Sequence, residues 1–89
     1  MSERDTAPVT VYGTGWCGDC HRSKRLLDRL GVSYLDVDIE ADEAMRERAV
    51  AIAGRQAVPV IVLSDGSHLV EPTDPALEAR LRALGLIPG

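Results

Sequence analysis

Phenylalanine is absent from these 89 residues, and Tyr12, Trp16 and Tyr34 are the only aromatics. A folded core must therefore come from Leu, Val, Ile and Ala, which are spread along the chain. Long apolar runs are missing as well. None approaches the ~18 residues of a spanning helix, so a membrane protein is not expected. Positive charge is not in surplus: ten basic residues face fourteen acidic ones, for a net charge of -4. A field of that sign does not gather phosphates, which argues against nucleic acid as a partner. Cysteine is scarce too, with two residues in one short motif, too few for a secreted disulfide scaffold. The polar stretch from Met1 to Pro8 has no apolar segment of the signal-peptide kind, so the cytoplasm is the expected compartment.

What is present suits one small folded domain. Hydrophobic residues make up 45% and charged residues 27%, a composition unlike that of disordered chains. Residues 1–8 read as a flexible arm and residues 9–89 as a single domain. Val9-Thr10-Val11-Tyr12 is a strand signal, closed by Gly13-Thr14-Gly15. From Cys17 or Gly18 to Leu30 the period becomes helical, with Cys20, Ser23, Leu26, Leu27 and Leu30 on one stripe and Gly31 as a stop. Leu35, Val37 and Ile39 alternate with Asp36 and Asp38, as in a half-exposed edge strand. Met45, Ala49 and Ile52 mark a second helix over 42–53, stopped by Gly54.

The unbroken apolar run Val58-Pro59-Val60-Ile61-Val62-Leu63 reads as a central strand, with Pro59 at its entry because it cannot donate to a ladder. Ser64 to Ser67 form a turn and His68 to Glu71 a short strand, together a hairpin. A last helix is expected from Asp74 as N-cap, with Pro75 behind it, to Leu84. The order is β-α-β-α-β-β-α. A right-handed βαβ unit makes the first two strands parallel, and the most apolar strands belong in the middle. The expectation is an α/β fold with a four-stranded mixed sheet, order 2-1-3-4, and three helices.

Chemistry concentrates in Trp16-Cys17-Gly18-Asp19-Cys20. Cys17 falls at a helix N-terminus, where free N–H groups and the helix dipole favour an anionic sulfur. Cys20 lies one turn further in, within reach of a disulfide but more covered. The pair can alternate between dithiol and disulfide: Cys17 attacks, and Cys20 resolves the mixed disulfide. The competing reading is a metal site. The chain offers His21 and His68 besides the two cysteines, but His21 faces away from Cys17 and His68 lies in the hairpin, so no metal ligand is assigned.

These residues, with Val9-Thr10-Val11-Tyr12, Val37-Asp38-Ile39, Val58-Pro59, and Asp65-Gly66-Ser67 with Pro72, resemble the glutaredoxin family, and within it the actinobacterial mycoredoxins. The resemblance implies a thioredoxin-like fold, Cys17 as nucleophile, Cys20 as resolving cysteine and a cis peptide at Val58-Pro59. That peptide turns the Val58 backbone toward the cysteines, where an extended thiol or peptide can bind. It also implies a glutaredoxin-type thiol–disulfide oxidoreductase, monomeric, with no bound cofactor. Its co-substrate is a low-molecular-weight thiol, mycothiol or glutathione, and its partners include disulfide-containing proteins.

Two departures stand out. Similar proteins carry Thr before Val-Pro, where this chain has Ala57 and so lacks a hydroxyl. They also carry an aromatic between the cysteines, where this chain has Asp19, a carboxylate expected to modulate the site by opposing the charge of the thiolate. Trp16 is expected as an exposed lid over the thiol. Arg55 and Gln56, in the loop before Val58 and Pro59, are the expected contacts for the polar tail of the thiol. Arg22, Lys24, Arg25 and Arg29 read as a solvated face, with Arg22 nearest the cysteines. The segment Glu71-Pro72-Thr73-Asp74 differs from the Gly-Cys-Asp of glutathione-type members and favours mycothiol. Two alternatives stay open. One is an electron donor to ribonucleotide reductase, suggested by Asp65-Gly66-Ser67-His68. The other is a non-catalytic iron–sulfur carrier in which two chains share a cluster through Cys17.

Overall fold

The computed structural model describes residues 7–89, so the arm expected over 1–8 lies, apart from Ala7 and Pro8, outside the described residues. Seven elements follow in the expected order: β1 (Val9–Gly13), α1 (Gly18–Arg29), β2 (Tyr34–Asp38), α2 (Glu43–Ala53), β3 (Val60–Leu63), β4 (His68–Val70) and α3 (Asp74–Ala83). The sheet order is β2-β1-β3-β4. β1 and β2 run parallel in register Val9 to Tyr34, while β3 pairs antiparallel with both β1 and β4. The expected mixed sheet is the one found.

Strand alternation sorts the core into two layers. Val9, Val11, Ile61 and Leu63 point to the face covered by α1 and α3, where Leu26, Leu27, Leu77 and Leu81 complete a buried cluster. Tyr12 and Val60 point to the other face, against Ala49, Met45 and Ile52 of α2. The α2 layer is thinner, since Ala49 is the only buried residue of that helix. The sheet is thus anchored on one side by two helices and screened on the other by one small-faced helix. Both faces converge at the C-terminal ends of β1 and β2, where parallel strands of an α/β sheet leave a crevice.

Several boundaries differ by a residue or two from the sequence expectation, and three of them bear on the site. The third strand starts at Val60 rather than Val58, because Pro59 has no N–H to give the ladder and Val58 remains in the loop. The peptide between them is cis. The last strand ends at Val70: Glu71 turns to φ 48°, while its N–H still reaches the Pro59 carbonyl at 2.9 Å. The N-cap of α3 is Thr73, not Asp74. Its hydroxyl oxygen accepts from the Ala76 N–H at 3.2 Å, a bond that places Asp74 in the first turn, where a carboxylate suits the helix dipole. Gly54, the expected stop of α2, is left-handed, and so is Gly85 just after α3. Among the described residues, no helix is long and apolar enough to cross a membrane.

Candidate active site

Cys17 occupies the N-cap of α1 in extended conformation, and its sulfur takes the place that a capping oxygen usually fills. The Cys20 N–H donates to Cys17 Sγ at 3.2 Å, so a donor at the positive end of the helix faces the sulfur directly. The Cys17 thiol also lies 3.9 Å from the Val58 carbonyl oxygen, which brings the loop before β3 against the motif. Cys17 is 7% exposed and Cys20 fully buried, and both thiols are free. Burial pushes the Cys20 thiol up to about 12, and a hydrogen bond to Cys17 adds to the effect. The two sulfurs are therefore unequal: one caps a helix terminus and keeps a little exposure, the other is held as a protonated thiol beneath it.

Gly13 makes room for that second thiol. A methyl group added there would stand 2.7 Å from Cys20 Sγ and 3.2 Å from its Cβ. The end of β1 and the first turn of α1 can approach this closely only without a side chain at Gly13. The same loop is fastened from the helix, since a ring nitrogen of His21 bonds to the Gly15 carbonyl at 2.7 Å. Sequence reading sets His21 aside as a poor metal ligand facing away from Cys17, and misses this tie. Its position directly after Cys20, one helical turn above the loop, is the signal that could have revealed it. Among the described residues, no cluster of three or more His, Cys, Asp or Glu is placed to hold a metal ion.

Two depressions meet near the motif, and Cys17 lines the smaller of them. A groove of about 500 Å³ is lined by Trp16, Cys17, Asp19, Val58 and Glu71. A larger cleft of about 610 Å³ lies beside it toward α2, with Trp16, Ala57 and Val58 as the shared wall. Trp16 is 69% exposed, the exposure expected from the sequence. Gln56 lines the larger cleft and Val58 lines both, while Pro59 is buried behind them.

Arg55 departs from expectation. It lines neither depression, because its guanidinium pairs with Glu71 at 3.2 Å. Arg22 is likewise engaged: it donates to the Pro72 carbonyl at 3.1 Å and pairs with Asp19 at 3.2 Å and Asp74 at 3.5 Å. It ties α1 to the start of α3 and offsets the charge of Asp19, which the sequence alone leaves unopposed beside Cys17. Lys24 pairs with Asp36 of the edge strand at 3.1 Å. Sequence reading also misses Thr14, Glu40, Glu43 and Arg46 on the larger cleft. The topology held the clue. Parallel β1 and β2 end at the same edge, so the residues just after β2 and in the first turn of α2 must flank the motif.

Comparison with known proteins agrees with this geometry. The family described as glutaredoxin matches residues 9–69. A protein of Mycobacterium tuberculosis named as a glutaredoxin is 38% identical over 77 residues, covering 85% of this chain and 92% of that one. Mycoredoxin 1 of Corynebacterium glutamicum is 34% identical over 77 residues, covering 85% and 95% respectively. A solved glutaredoxin from Archaeoglobus fulgidus superposes with a TM-score of 0.76 at 30% identity, over 85% of this chain and 87% of that one.

Proposed function

Since the chain belongs to the glutaredoxin family and is a glutaredoxin-type thiol–disulfide oxidoreductase, we propose that it reduces mixed disulfides with mycothiol as the small thiol, through Cys17 as nucleophile and Cys20 as resolving cysteine. The Cys17 thiolate attacks one sulfur of a protein–thiol mixed disulfide. The protein leaves as a thiolate and takes up a proton, and the small thiol remains bonded to Cys17. Cys20 then gives up its proton and attacks Cys17 Sγ, which releases the small thiol and closes the Cys17–Cys20 disulfide. Two further small thiols restore the dithiol and leave as their own disulfide, so electrons balance over the cycle. Alternatively one small thiol attacks the mixed disulfide on Cys17 directly, and Cys20 is bypassed.

The observation that carries the choice of thiol is the charge around the groove. Its walls hold the carboxylates of Asp19 and Glu71, and the nearby cations are already paired, Arg22 with Asp19 and Arg55 with Glu71. A thiol with two carboxylates, such as glutathione, meets no unpaired cation there among the described residues, whereas a thiol with an uncharged tail meets no repulsion. The likeness to a protein named mycoredoxin supports the same reading. The expected result is a kcat/KM for mycothiol about tenfold or more above that for glutathione on one mixed disulfide. Equal efficiency with the two thiols would remove mycothiol and leave only the family's general activity. Faster reduction by a thioredoxin reductase than by either thiol would overturn the dependence on a small thiol.

A further inference from the structure

We propose that Glu71 is a positioning residue for disulfide exchange at Cys17: from a left-handed backbone it straps the loop before β3 at two points and so sets how that loop stands against the sulfur. The proposal rests on Cys17 as the reacting sulfur. The Glu71 N–H donates to the Pro59 carbonyl at 2.9 Å, and the Glu71 carboxylate pairs with the Arg55 guanidinium at 3.2 Å. Residues 55 and 59 bracket Val58, which lines the groove over Cys17 and whose carbonyl oxygen lies 3.9 Å from Cys17 Sγ. From the other side, Arg22 of α1 donates to the carbonyl of Pro72 at 3.1 Å. Segment 71–72 is thus held by one arginine from the helix that Cys17 caps and by another from the loop that faces Cys17.

The backbone of Glu71 is the independent sign. At φ 48° it is, among the described residues, the only one besides glycine with a positive φ. A side chain in that region crowds its own backbone. Glycine at position 71 would make the same turn without strain and keep the N–H bond to Pro59, but it would offer Arg55 no carboxylate. The ion pair does not repay the strain by stabilising the fold, because its side chains are 60% and 43% exposed. A strained turn and an exposed pair add little to stability. What they supply together is a fixed place for the loop that carries Val58. Exchange between sulfurs needs that fixity, since a partner disulfide misplaced by a fraction of its bond length reacts slowly.

The test follows turnover of a lysine-containing cysteinyl peptide, carried as its mixed disulfide with 2-mercaptoethanol and with 2-mercaptoethanol as reductant, so that no thiol tail enters. Glu71→Gly should leave the urea midpoint unchanged or raise it, yet raise KM for the peptide disulfide about three- to tenfold with a smaller change in kcat. A merely structural residue would lose stability and activity together. Glu71→Gln and Arg55→Ala each break the pair, so both should raise KM to a similar extent, and the double variant no further. A residue acting through its charge alone would behave differently. Glu71→Gln would then raise KM for the cationic peptide and Arg55→Ala would lower it, since one removes a carboxylate and the other uncovers it. Such opposite shifts, an unchanged KM in Glu71→Gly, or a fall in its urea midpoint that parallels the loss of activity would overturn the strap and leave exchange at Cys17 standing. Turnover that survives Cys17→Ser would overturn the reacting sulfur and the strap with it.

Discussion

Replacing Cys17 by serine is expected to lower turnover at least about a thousandfold, whereas Cys20→Ser should keep activity within about tenfold of native when a small thiol is in excess. The asymmetry follows from position. Cys17 caps α1, with the Cys20 N–H 3.2 Å from its sulfur and the groove open above it, and Cys20 is fully buried beneath. A serine at Cys17 keeps the cap but cannot form a disulfide. A serine at Cys20 keeps the fold around Gly13 and removes only the internal resolving step, which a second small thiol replaces. Rates measured for both variants on one mixed disulfide settle the matter. Substantial activity in Cys17→Ser, or equal losses in the two variants, would contradict the division of roles.

The second large effect concerns a residue with no chemistry of its own. Gly13→Ala should destabilise the protein by about 1–3 kcal/mol, because the new methyl collides with Cys20 Sγ at 2.7 Å inside a packed layer. The penalty has a named partner, and a double-mutant cycle exposes it. In a Cys20→Ala background the sulfur is gone and only the 3.2 Å approach to Cβ remains, so Gly13→Ala should cost less there by about 1 kcal/mol. Urea unfolding of the four proteins measures the coupling. An equal cost in both backgrounds would show that Gly13 is required for something other than room for the thiol.

Much of this site is legible in the sequence. The strand before Gly13, the helix after Cys17 and the stops at Gly31 and Gly54 are local signals, written in hydrophobic period and in residues with special backbone freedom. The motif also declares its own geometry, since a cysteine placed just before a helix becomes its cap. Side-chain commitments were less accessible. Arg55 looks free in the sequence, yet Glu71, sixteen residues on, pairs with it once β4 folds back beside β3. Arg22 looks like part of a solvated stripe until α3 brings Asp74 and the Pro72 carbonyl against it. Asp74 looks like a cap because Pro follows it, but the Thr73 hydroxyl is the acceptor that reaches the Ala76 N–H. Each of these depends on a contact between segments distant in sequence, or on a choice between adjacent acceptors that differ by little in energy. The cleft beside α2 follows the same rule: Glu40, Glu43 and Arg46 gain meaning only from the shared end of β1 and β2.

The central claim is that the two sulfurs differ in kind, and the most direct measurement asks which one reacts. The reduced native protein is treated with less than one equivalent of iodoacetamide from about pH 7 to about pH 9, and the labelled peptide is identified by mass. Cys20, buried and held as a thiol up to about 12, should stay unlabelled across that range, while Cys17 takes the label at every pH. Label appearing first on Cys20, or equally on both, would contradict the division of the pair into a capping nucleophile and a protonated reserve.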